Sequence, residues 1–387
     1  MQISYLKDIV QISTGYNHFM ALDSYGHIWT WGNNTYGQLG CSGSISVPTQ
    51  LSLENIVKIS AGYNYSLALD NTGCLYSWGI NDRGQLATNS TDNQTVPYNT
   101  GVYLTDIDAG FYHVIGIDSN GVVYGWGDNS YGQLGCDSND PVLFPVEINI
   151  EDIQAASAGY NYTLLLSDNG EVYSAGINDY GQLGNGSLQN SNSFQRISIS
   201  NIKSISAGYN HSLACDNDGK IYAWGNNNNS QIGDGSVEQR NTPSQVLKLK
   251  NVKTISAGYA HAMAIDDSGN TWSWGYNNHG QLGIQNSELH QSIPSEIDIP
   301  VDIVSIDCGY YHNLAVDSNG EVWSWGYNNH GQLGLGDTND RNVPTKIAGI
   351  SNVISVSAGN YHSLALTADG TIWSWGYNNG GQLGVND

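Results

Sequence analysis

The sequence predicts an all-β protein, a single closed β-propeller, because one pattern of short strands returns eight times along its 387 residues. Each copy contains a glycine that follows an apolar, β-branched run, and this marker glycine recurs every 47 to 51 residues. Within a copy, residue character alternates with period two between turn signals, as in β-strands. The marker glycines are Gly15, Gly62, Gly110, Gly159, Gly208, Gly258, Gly309 and Gly359.

The second unit shows how one copy is built. Residues 56–61 (IVKISA), 66–70 (SLALD) and 74–79 (CLYSWG) have strand patterns, and a fourth strand is predicted around 96–104. The Asp-Asn-Thr-Gly segment at 70–73 is typical of a hairpin turn whose glycine supplies a positive φ. A lone four-stranded sheet of this size cannot bury both faces, so four antiparallel strands per unit favour the blades of a propeller.

A tryptophan recurs in register on the third predicted strand of seven units, where it can pack between neighbouring blades. Burial of such a ring is worth roughly 1.5–3 kcal/mol of transfer free energy. The fourth unit carries Ala175 at this position, so we expect its blade to be the least well packed. The seven tryptophans are Trp31, Trp78, Trp126, Trp224, Trp274, Trp325 and Trp375.

The two ends of the chain complement each other. The last unit stops before its fourth strand, whereas residues 2–6 (QISYL) precede the first unit and align with 49–53 (TQLSL) of the next. We therefore expect the N-terminal strand to complete the last blade and to close one ring of eight blades over residues 1–387. The approximate blades are 7–54, 55–103, 104–151, 152–200, 201–250, 251–301, 302–351, and 352–387 together with 1–6.

Composition argues against two classes of partner. The chain has 35 Asp and Glu against 12 Lys and Arg, which gives a net charge of −23. Nucleic acids and anionic membranes both require clustered Lys or Arg, so neither is expected, and a neutral or basic protein is the partner that electrostatics favours. A monomer is expected, in the cytoplasm, or secreted if a leader was removed. The near-identity of the units and the scarcity of Lys and Arg favour a bacterial source.

Several recurring polar residues could suggest chemistry, but each has a structural explanation. Eight His or Tyr side chains lie three residues after the marker glycines; a ring of eight cannot meet at one metal without clashing, so we interpret them as hydrogen bonds between blades. The Asp-x-x-Gly turns are too short for calcium loops, and the five cysteines follow no disulfide or metal spacing. We therefore predict no catalytic residue, no metal site and no cofactor. The eight residues are His18, Tyr65, His113, Tyr162, His211, His261, His312 and His362.

Two motifs in the copies resemble the repeat of the regulator of chromosome condensation family. Ala-Gly-x-x-His-Ser-x-Ala-Leu is followed by Trp-Gly-x-Asn-x-x-Gly-Gln-Leu-Gly, and both appear between 308 and 334, where Cys308 replaces the alanine. The resemblance spans the whole chain and implies a propeller, typically of seven blades, that serves as a protein-interaction platform. The family includes a nuclear exchange factor for the small GTPase Ran and a bacterial inhibitor of β-lactamases. This chain differs in having eight units and no long insertion, so exchange activity is not expected.

One face of the predicted propeller combines aromatic residues with the variable loops. If the strands of a blade are named a to d, the a–b and c–d connections emerge on one face and the short acidic b–c turns on the other. The a–b connections carry an aromatic ring in seven units, and the c–d connections of the last three units begin with a tyrosine. Packing between blades is the alternative explanation for both sets. The predicted partner-binding residues are Tyr16, Tyr63, Phe111, Tyr160, Tyr209, Tyr259, Tyr276, Tyr310, Tyr327 and Tyr377.

The sequence thus predicts a non-enzymatic propeller that binds another protein through this face, as a scaffold or as an inhibitor. Two alternatives stay open. A guanine-nucleotide exchange factor would act on a small GTPase with the same fold. A carbohydrate or small-ligand binder would instead use its tyrosines to stack on the ligand.

Overall fold

Eight four-stranded antiparallel sheets make up the computed structural model of the chain, which describes residues 1–3, 6–43, 45–286 and 288–384. The described residues form 32 strands, and they contain no helix long and apolar enough to cross a membrane. Strand a of each blade contacts strand a of the next, so these strands surround the central axis, and strand d forms the outer edge. The predicted all-β propeller of eight blades is confirmed.

The chain begins with β1 (Gln2–Ile3), which belongs to the last blade. In the order a to d, blade 1 has β2 (Ile9–Thr14), β3 (His18–Asp23), β4 (Ile28–Gly32) and β5 (Ile45–Gln50), and blade 2 has β6 (Ile56–Ala61), β7 (Tyr65–Asp70), β8 (Cys74–Gly79) and β9 (Gln94–Tyr103). Blade 3 has β10 (Asp106–Ala109), β11 (His113–Ile117), β12 (Val123–Gly127) and β13 (Val142–Ile148), and blade 4 has β14 (Ile153–Ala158), β15 (Tyr162–Ser167), β16 (Val172–Gly176) and β17 (Ser191–Arg196). Blade 5 has β18 (Ile202–Ala207), β19 (His211–Asp216), β20 (Ile221–Gly225) and β21 (Arg240–Gln245), and blade 6 has β22 (Val252–Ala257), β23 (His261–Asp266), β24 (Thr271–Tyr276) and β25 (His290–Ile297). Blade 7 has β26 (Ile303–Cys308), β27 (His312–Asp317), β28 (Val322–Gly326) and β29 (Arg341–Lys346), and blade 8 has β30 (Val353–Ala358), β31 (His362–Thr367) and β32 (Ile372–Gly376), with β1 as its strand d.

The N-terminal strand closes the ring as the sequence predicts. On β1, Gln2 and Ile3 pair in antiparallel register with Trp373 and Ile372 of β32. Ile3 is fully buried in the cluster that joins blade 8 to blade 1. Of the segment predicted to close the ring, 4–5 lie outside the described residues, as do 385–387 at the other end of the last blade.

Eight apolar clusters hold the ring together, one at each junction between neighbouring blades. In seven of them a tryptophan from strand c packs on the preceding blade and donates its indole Nε1–H to a backbone carbonyl there. Trp78 donates to the carbonyl oxygen of Gln38 over 2.9 Å, and Trp31 makes the same bond to Gln382 over 3.0 Å across the closure. Each tryptophan therefore contributes both apolar area and a satisfied hydrogen bond to a junction.

The fourth blade fills the place of its missing tryptophan with a ring from its outer strand. Phe194 on β17 lies at the register shift beside Ala175, between the pairs Ser174–Gln195 and Gly176–Ser191. Its ring covers Gly135 of blade 3, where other junctions have the tryptophan over the equivalent glycine. The packing defect expected at Ala175 is therefore compensated by its cross-strand neighbour. The residues at the Phe194 position in six blades that keep the tryptophan are Pro48, Pro97, Pro145, Pro243, Pro294 and Pro344.

Side chains three residues after the marker glycines link six of the eight blades to the next blade. Nε2 of His18 lies 2.9 Å from Oγ of Ser66 in blade 2. Tyr162 uses its hydroxyl in the same place and donates to the carbonyl oxygen of His211 over 2.6 Å. Six of the eight positions make such a bond, in agreement with the interpretation from the sequence.

Two of the six histidines lack this link. Ala262 and Phe19 stand where other blades have a hydroxyl or an amide, and Nε2 of both His211 and His362 has no hydrogen-bond partner among the described residues. Burial lowers the pKa of all six histidines to about 3 or 4, because a charged imidazolium would be poorly solvated there. In the described chain, no three His, Cys, Asp or Glu side chains come together as metal ligands.

Replacing the ring of blade 4 tests its compensating role. Phe194→Ala should lower the free energy of unfolding by about 2 kcal/mol, less than for a fully buried phenylalanine because this ring is half-buried. Ala175→Trp alone should also destabilise, since two rings would compete for the space over Gly135. The double variant Ala175→Trp/Phe194→Pro copies the other blades and should recover most of the loss in urea unfolding. A double variant no better than Ala175→Trp would contradict the compensation.

The buried histidines predict a loss of stability in acid. Below an ordinary pKa of about 6.5 the unfolded chain binds protons at each histidine that the folded chain excludes, so the free energy of unfolding falls as the pH drops. Each histidine contributes on the order of 1 kcal/mol per pH unit. Asp108 and Asp307, whose pKa is raised by burial to about 6, offset part of this loss because they bind protons in the folded state. Urea midpoints that do not fall between about pH 7.5 and 5 would contradict the prediction.

His211→Tyr is a matched variant for this measurement, because tyrosine occupies the equivalent position in two other units. The new hydroxyl should reach the carbonyl of the next blade, as that of Tyr162 does. We expect a variant at least as stable as the wild type near pH 7, with a shallower decline in acid. An unchanged decline would mean that His211 is not one of the acid-sensitive groups.

Candidate binding face

The marker glycines set the geometry of the a–b loops. A Cβ on Gly15 would lie 2.2 Å from Cε1 of His18 and 2.6 Å from the carbonyl oxygen of Gly62 in the next blade. No other residue could therefore let the chain turn here while neighbouring inner strands stay in contact. Each turn places the following residue, tyrosine in six blades, at the mouth of the central channel.

Seven of these residues stack into a collar around the channel mouth. Consecutive ring centroids are 4.0–4.8 Å apart. Five of the six pairs are inclined by 31–43°, near the rotation of about 45° between adjacent blades of eight. The planes of the rings therefore run roughly radially. Neighbouring rings pack with their faces together, and the ring edges point toward the axis. The collar consists of Tyr16, Tyr63, Phe111, Tyr160, Tyr209, Tyr259 and Tyr310, and Asn360 interrupts it in blade 8.

The three tyrosines of the c–d connections form an outer arc that joins this collar. Tyr276 lies 5.9 Å from Tyr311 (centroid to centroid), and Tyr311 is 4.6 Å from Tyr310 of the collar. Tyr327 is 6.4 Å from the same Tyr311. Tyr377 contacts the network through His330, 5.0 Å away. All ten residues predicted from the sequence thus lie in one connected aromatic network on one face.

Sequence reasoning missed the residues that connect collar and arc. Tyr311 and Tyr361 lie two residues after the marker glycines, where four of the eight units have asparagine. His279 packs 4.6 Å from Tyr327, and His330 packs 5.1 Å from Tyr361. A search for departures from the repeat consensus would have found all four, because each replaces a residue that other units share.

A recurring asparagine, buried in six of the blades, fixes the conformation of the c–d loops. Oδ1 of Asn178 accepts the backbone N–H of Leu183 over 3.0 Å, and its Nδ2 donates to the carbonyls of Ser187 and Gln189, each over 3.0 Å. Because these bonds lie within the loop, its conformation does not depend on a ligand. The equivalent residues that accept a backbone N–H in the same way include Asn34, Asn81, Asn129, Asn227, Asn277, Asn328 and Asn378.

The loop face, defined by the a–b and c–d connections, is acidic and carries no lysine. Its one arginine, Arg83, lies beside Asp82, with 4.0 Å between Nε and Oδ2. Nδ1 of His279 is 3.0 Å from Oδ2 of Asp340 within the outer network. The acidic residues of the c–d connections are Asp82, Asp92, Asp128, Asp137, Asp140, Asp179, Asp234, Glu238, Glu288, Asp337 and Asp340.

Four tyrosines of this face have a raised pKa. Burial, followed by the effect of neighbouring tyrosines, raises the pKa of Tyr209 and that of Tyr311 to about 12. The same causes raise the pKa of Tyr63 and Tyr310 further. The rings therefore offer neutral hydroxyl donors and acceptors beside the carboxylates.

Comparison with known proteins agrees with the repeat pattern. A family model described as the RCC1-like domain matches residues 2–249 and 189–387. The ultraviolet-B receptor UVR8 of Arabidopsis thaliana is 50% identical over 62 residues, which are 16% of this chain and 14% of the receptor. The mitochondrial RCC1 domain-containing protein RUG3 of the same plant is 49% identical over 47 residues, 12% of this chain and 11% of that protein. The alignments thus span only a small part of these relatives.

Solved structures share the architecture at low identity. Human WBSCR16 superposes with a TM-score of 0.72 at 23% identity, covering 88% of this chain and 99% of that one. Prp20p from Saccharomyces cerevisiae superposes with a TM-score of 0.69 at 22% identity, covering 92% and 93%. These similarities support the propeller fold, and the family model spans the whole described propeller. The chain belongs to the family of RCC1-like domains.

Proposed function

We propose that the protein is a non-enzymatic propeller that binds another protein through its loop face, as a scaffold or as an inhibitor of an enzyme. The observation that carries this proposal is the aromatic network that extends from the collar to the outer arc on a single face. Partly exposed Tyr rings beside polar neighbours are the residues that most often dominate protein interfaces. Two or three such residues from each of eight blades approach the 20–30 residues that one partner contributes to a standard interface.

The rigidity of this face supports the same proposal. The collar rings support one another, and the c–d loops are held by internal bonds such as those of Asn178. A surface that is ordered before binding loses little conformational entropy when a partner docks. The face is therefore suited to tight binding of a folded surface.

Electrostatics favours a neutral or basic partner. The c–d connections are acidic, and the loop face has no lysine to offset them. Arg240 and Arg341, which begin two outer strands next to this face, are ion-paired with Asp234 and Asp337, each over 2.5 Å. A basic partner would be attracted before contact, which raises the association rate.

The relatives support protein binding more than the two alternatives. Prp20p, which shares the fold, was studied for its binding to Gsp1p and histones. An exchange factor of the kind that the resemblance implies would need a long insertion, whereas the longest connections here are c–d segments such as 80–93 and 226–239. A carbohydrate binder would need free ring faces for stacking, and the collar rings cover one another's faces.

Removing the outer arc should abolish partner binding. The triple variant Tyr276→Ala/Tyr327→Ala/Tyr377→Ala removes three partly exposed rings and should leave the backbone conformation unchanged. We expect the affinity for a partner retained by the wild type to fall at least about 100-fold, since each interface hot spot contributes about 2 kcal/mol or more. Affinity capture followed by titration of the purified partner measures the effect.

A matched control removes equally large tyrosines elsewhere on the surface. Tyr25 lies in a b–c turn and Tyr103 at the end of an outer strand, and they are 71% and 61% exposed. Tyr25→Ala/Tyr103→Ala should bind the partner like the wild type. Equal affinity of the arc variant and the wild type, or equal loss in both variants, would disprove the assignment of the loop face.

The acidity of the face predicts a salt-dependent association. Raising the ionic strength from about 0.05 to 0.5 M should slow association with the partner by at least about tenfold, with a smaller effect on dissociation. Stopped-flow mixing with the change in tyrosine or tryptophan fluorescence gives both rates. Association that is unchanged or accelerated by salt would exclude a basic partner surface.

A further inference from the structure

The channel mouth inside the collar is a funnel with a cavity of about 330 Å³. Its wall has three tiers, each with one residue from every blade. The aromatic collar together with Asn360 forms the upper tier, and the marker glycines form the middle one. The lower tier consists of Thr14, Ala61, Ala109, Ala158, Ala207, Ala257, Cys308 and Ala358. None of the residues that line the funnel is charged.

Two carboxylates immediately precede residues of the lower tier on their inner strands, where each accepts a backbone N–H of the next blade. The inner strands carry serine before the lower tier in six blades, but Asp108 and Asp307 replace it in blades 3 and 7, on opposite sides of the ring. Oδ2 of Asp307 accepts the backbone N–H of Ala358 over 2.8 Å, and no ion pair of the described residues includes this carboxylate. Lys58, a cation that influences Asp108, is ion-paired with Asp106.

The collar offers oxygen atoms rather than ring faces to a guest. Because neighbouring rings cover each other's faces, a cation could not lie over an aromatic face as in an aromatic cage. The hydroxyls of Tyr63, Tyr209 and Tyr310 instead interact electrostatically with those of the preceding tyrosines, which helps to raise the pKa of all three. A phenol oxygen has lone pairs that can accept a hydrogen bond from a guest. The amide oxygen of Asn360 adds an acceptor at the break in the collar.

The opening selects a slender guest. In a circle of eight equivalent points, neighbouring points are separated by about three quarters of the radius. Centroid spacings of 4.0–4.8 Å between neighbouring collar side chains therefore place these centroids roughly 6 Å from the propeller axis. Subtracting the half-width of a ring and the van der Waals radii leaves an opening roughly 5 Å across. An extended alkyl chain passes such an opening, whereas a folded peptide segment does not.

We infer that the funnel is a binding site for a primary ammonium group, the side chain of a lysine presented by the protein partner. The methylene stem would contact the ring edges and small residues of the wall, and the ammonium group would donate to phenol oxygens and be attracted by the carboxylates of Asp108 and Asp307 on the inner strands. Lysine carries a compact charge with three donors on a flexible stem, which matches a ring of acceptors. This inference rests on the proposed function, since it names the group that the partner inserts.

Two small probes test the site directly. Calorimetric titration compares Nα-acetyl-lysine amide with Nα-acetyl-norleucine amide, which has a similar stem and no charge. The lysine probe should bind at least about tenfold more tightly, because charge-assisted hydrogen bonds are worth more than contacts of the stem. Equal affinity of the two probes, or no binding of either, would overturn the inference.

Variants that keep the fold show where the probe binds. Asp108→Ser/Asp307→Ser introduces the residue of the other six inner strands, and Tyr259→Phe/Tyr310→Phe removes two hydroxyls while keeping both rings. Each should weaken the lysine probe by about fivefold or more. Tyr25→Phe, far from the funnel, should not. Unchanged affinity in both double variants would place the probe elsewhere and overturn the site.

The partner itself separates this inference from the proposed function. Single Lys→Met substitutions across the captured partner should identify one lysine whose loss weakens binding as much as the funnel variants do. When this substitution is combined with a funnel variant, the two losses of affinity should not add. If the outer-arc variant abolishes capture while no partner lysine and no funnel variant matters, the loop face stands and the lysine site is overturned. If the probes bind but the arc variant captures normally, the proposed function fails.

Discussion

The close approach of neighbouring inner strands at the marker glycines is the constraint on which the rest of the structure depends. A Cβ on Gly15 would lie 2.6 Å from the carbonyl oxygen of Gly62 in the next blade, so the two inner strands could not stay this close. With this contact made, the histidine link, the indole bond and the apolar cluster fall into register, as at the junction of blades 1 and 2. Because no blade can bury its own faces, these junctions supply the core.

The same constraint explains why the loop face is ordered. Equivalent atoms of successive blades are related by nearly one rotation, so residues at one repeat position form a ring around the axis. At the position after the marker glycine this ring is the collar, whose members stack because the rotation brings their faces together. Function on such a scaffold arises from residues at the mouths of the loops, which can change without disturbing the junctions.

Departures from the repeat separate into two kinds. Ala175 is compensated by Phe194, which restores packing, so this departure has a structural explanation. Asp307 keeps the hydrogen bond that serine makes to the next blade elsewhere, but it adds a carboxylate with no ion-pair partner among the described residues. Asn360 interrupts the collar. Residues that differ from the repeat consensus without improving the packing are expected at positions where partner binding, rather than stability, determines the residue.

The sequence by itself determined the architecture. A strand pattern repeated eight times, with tryptophans in register and an N-terminal segment that matches a fourth strand, leaves few arrangements that bury both faces of every sheet. The sequence also placed the ten aromatic residues on one face, because strand order alone fixes which connections share a face. Only the tertiary structure decided that these rings touch, since their spacing depends on the radius of the ring. Contacts between units, such as Phe194 over Gly135 and Tyr311 between collar and arc, were likewise beyond the sequence, because they join residues that the repeat pattern treats as independent.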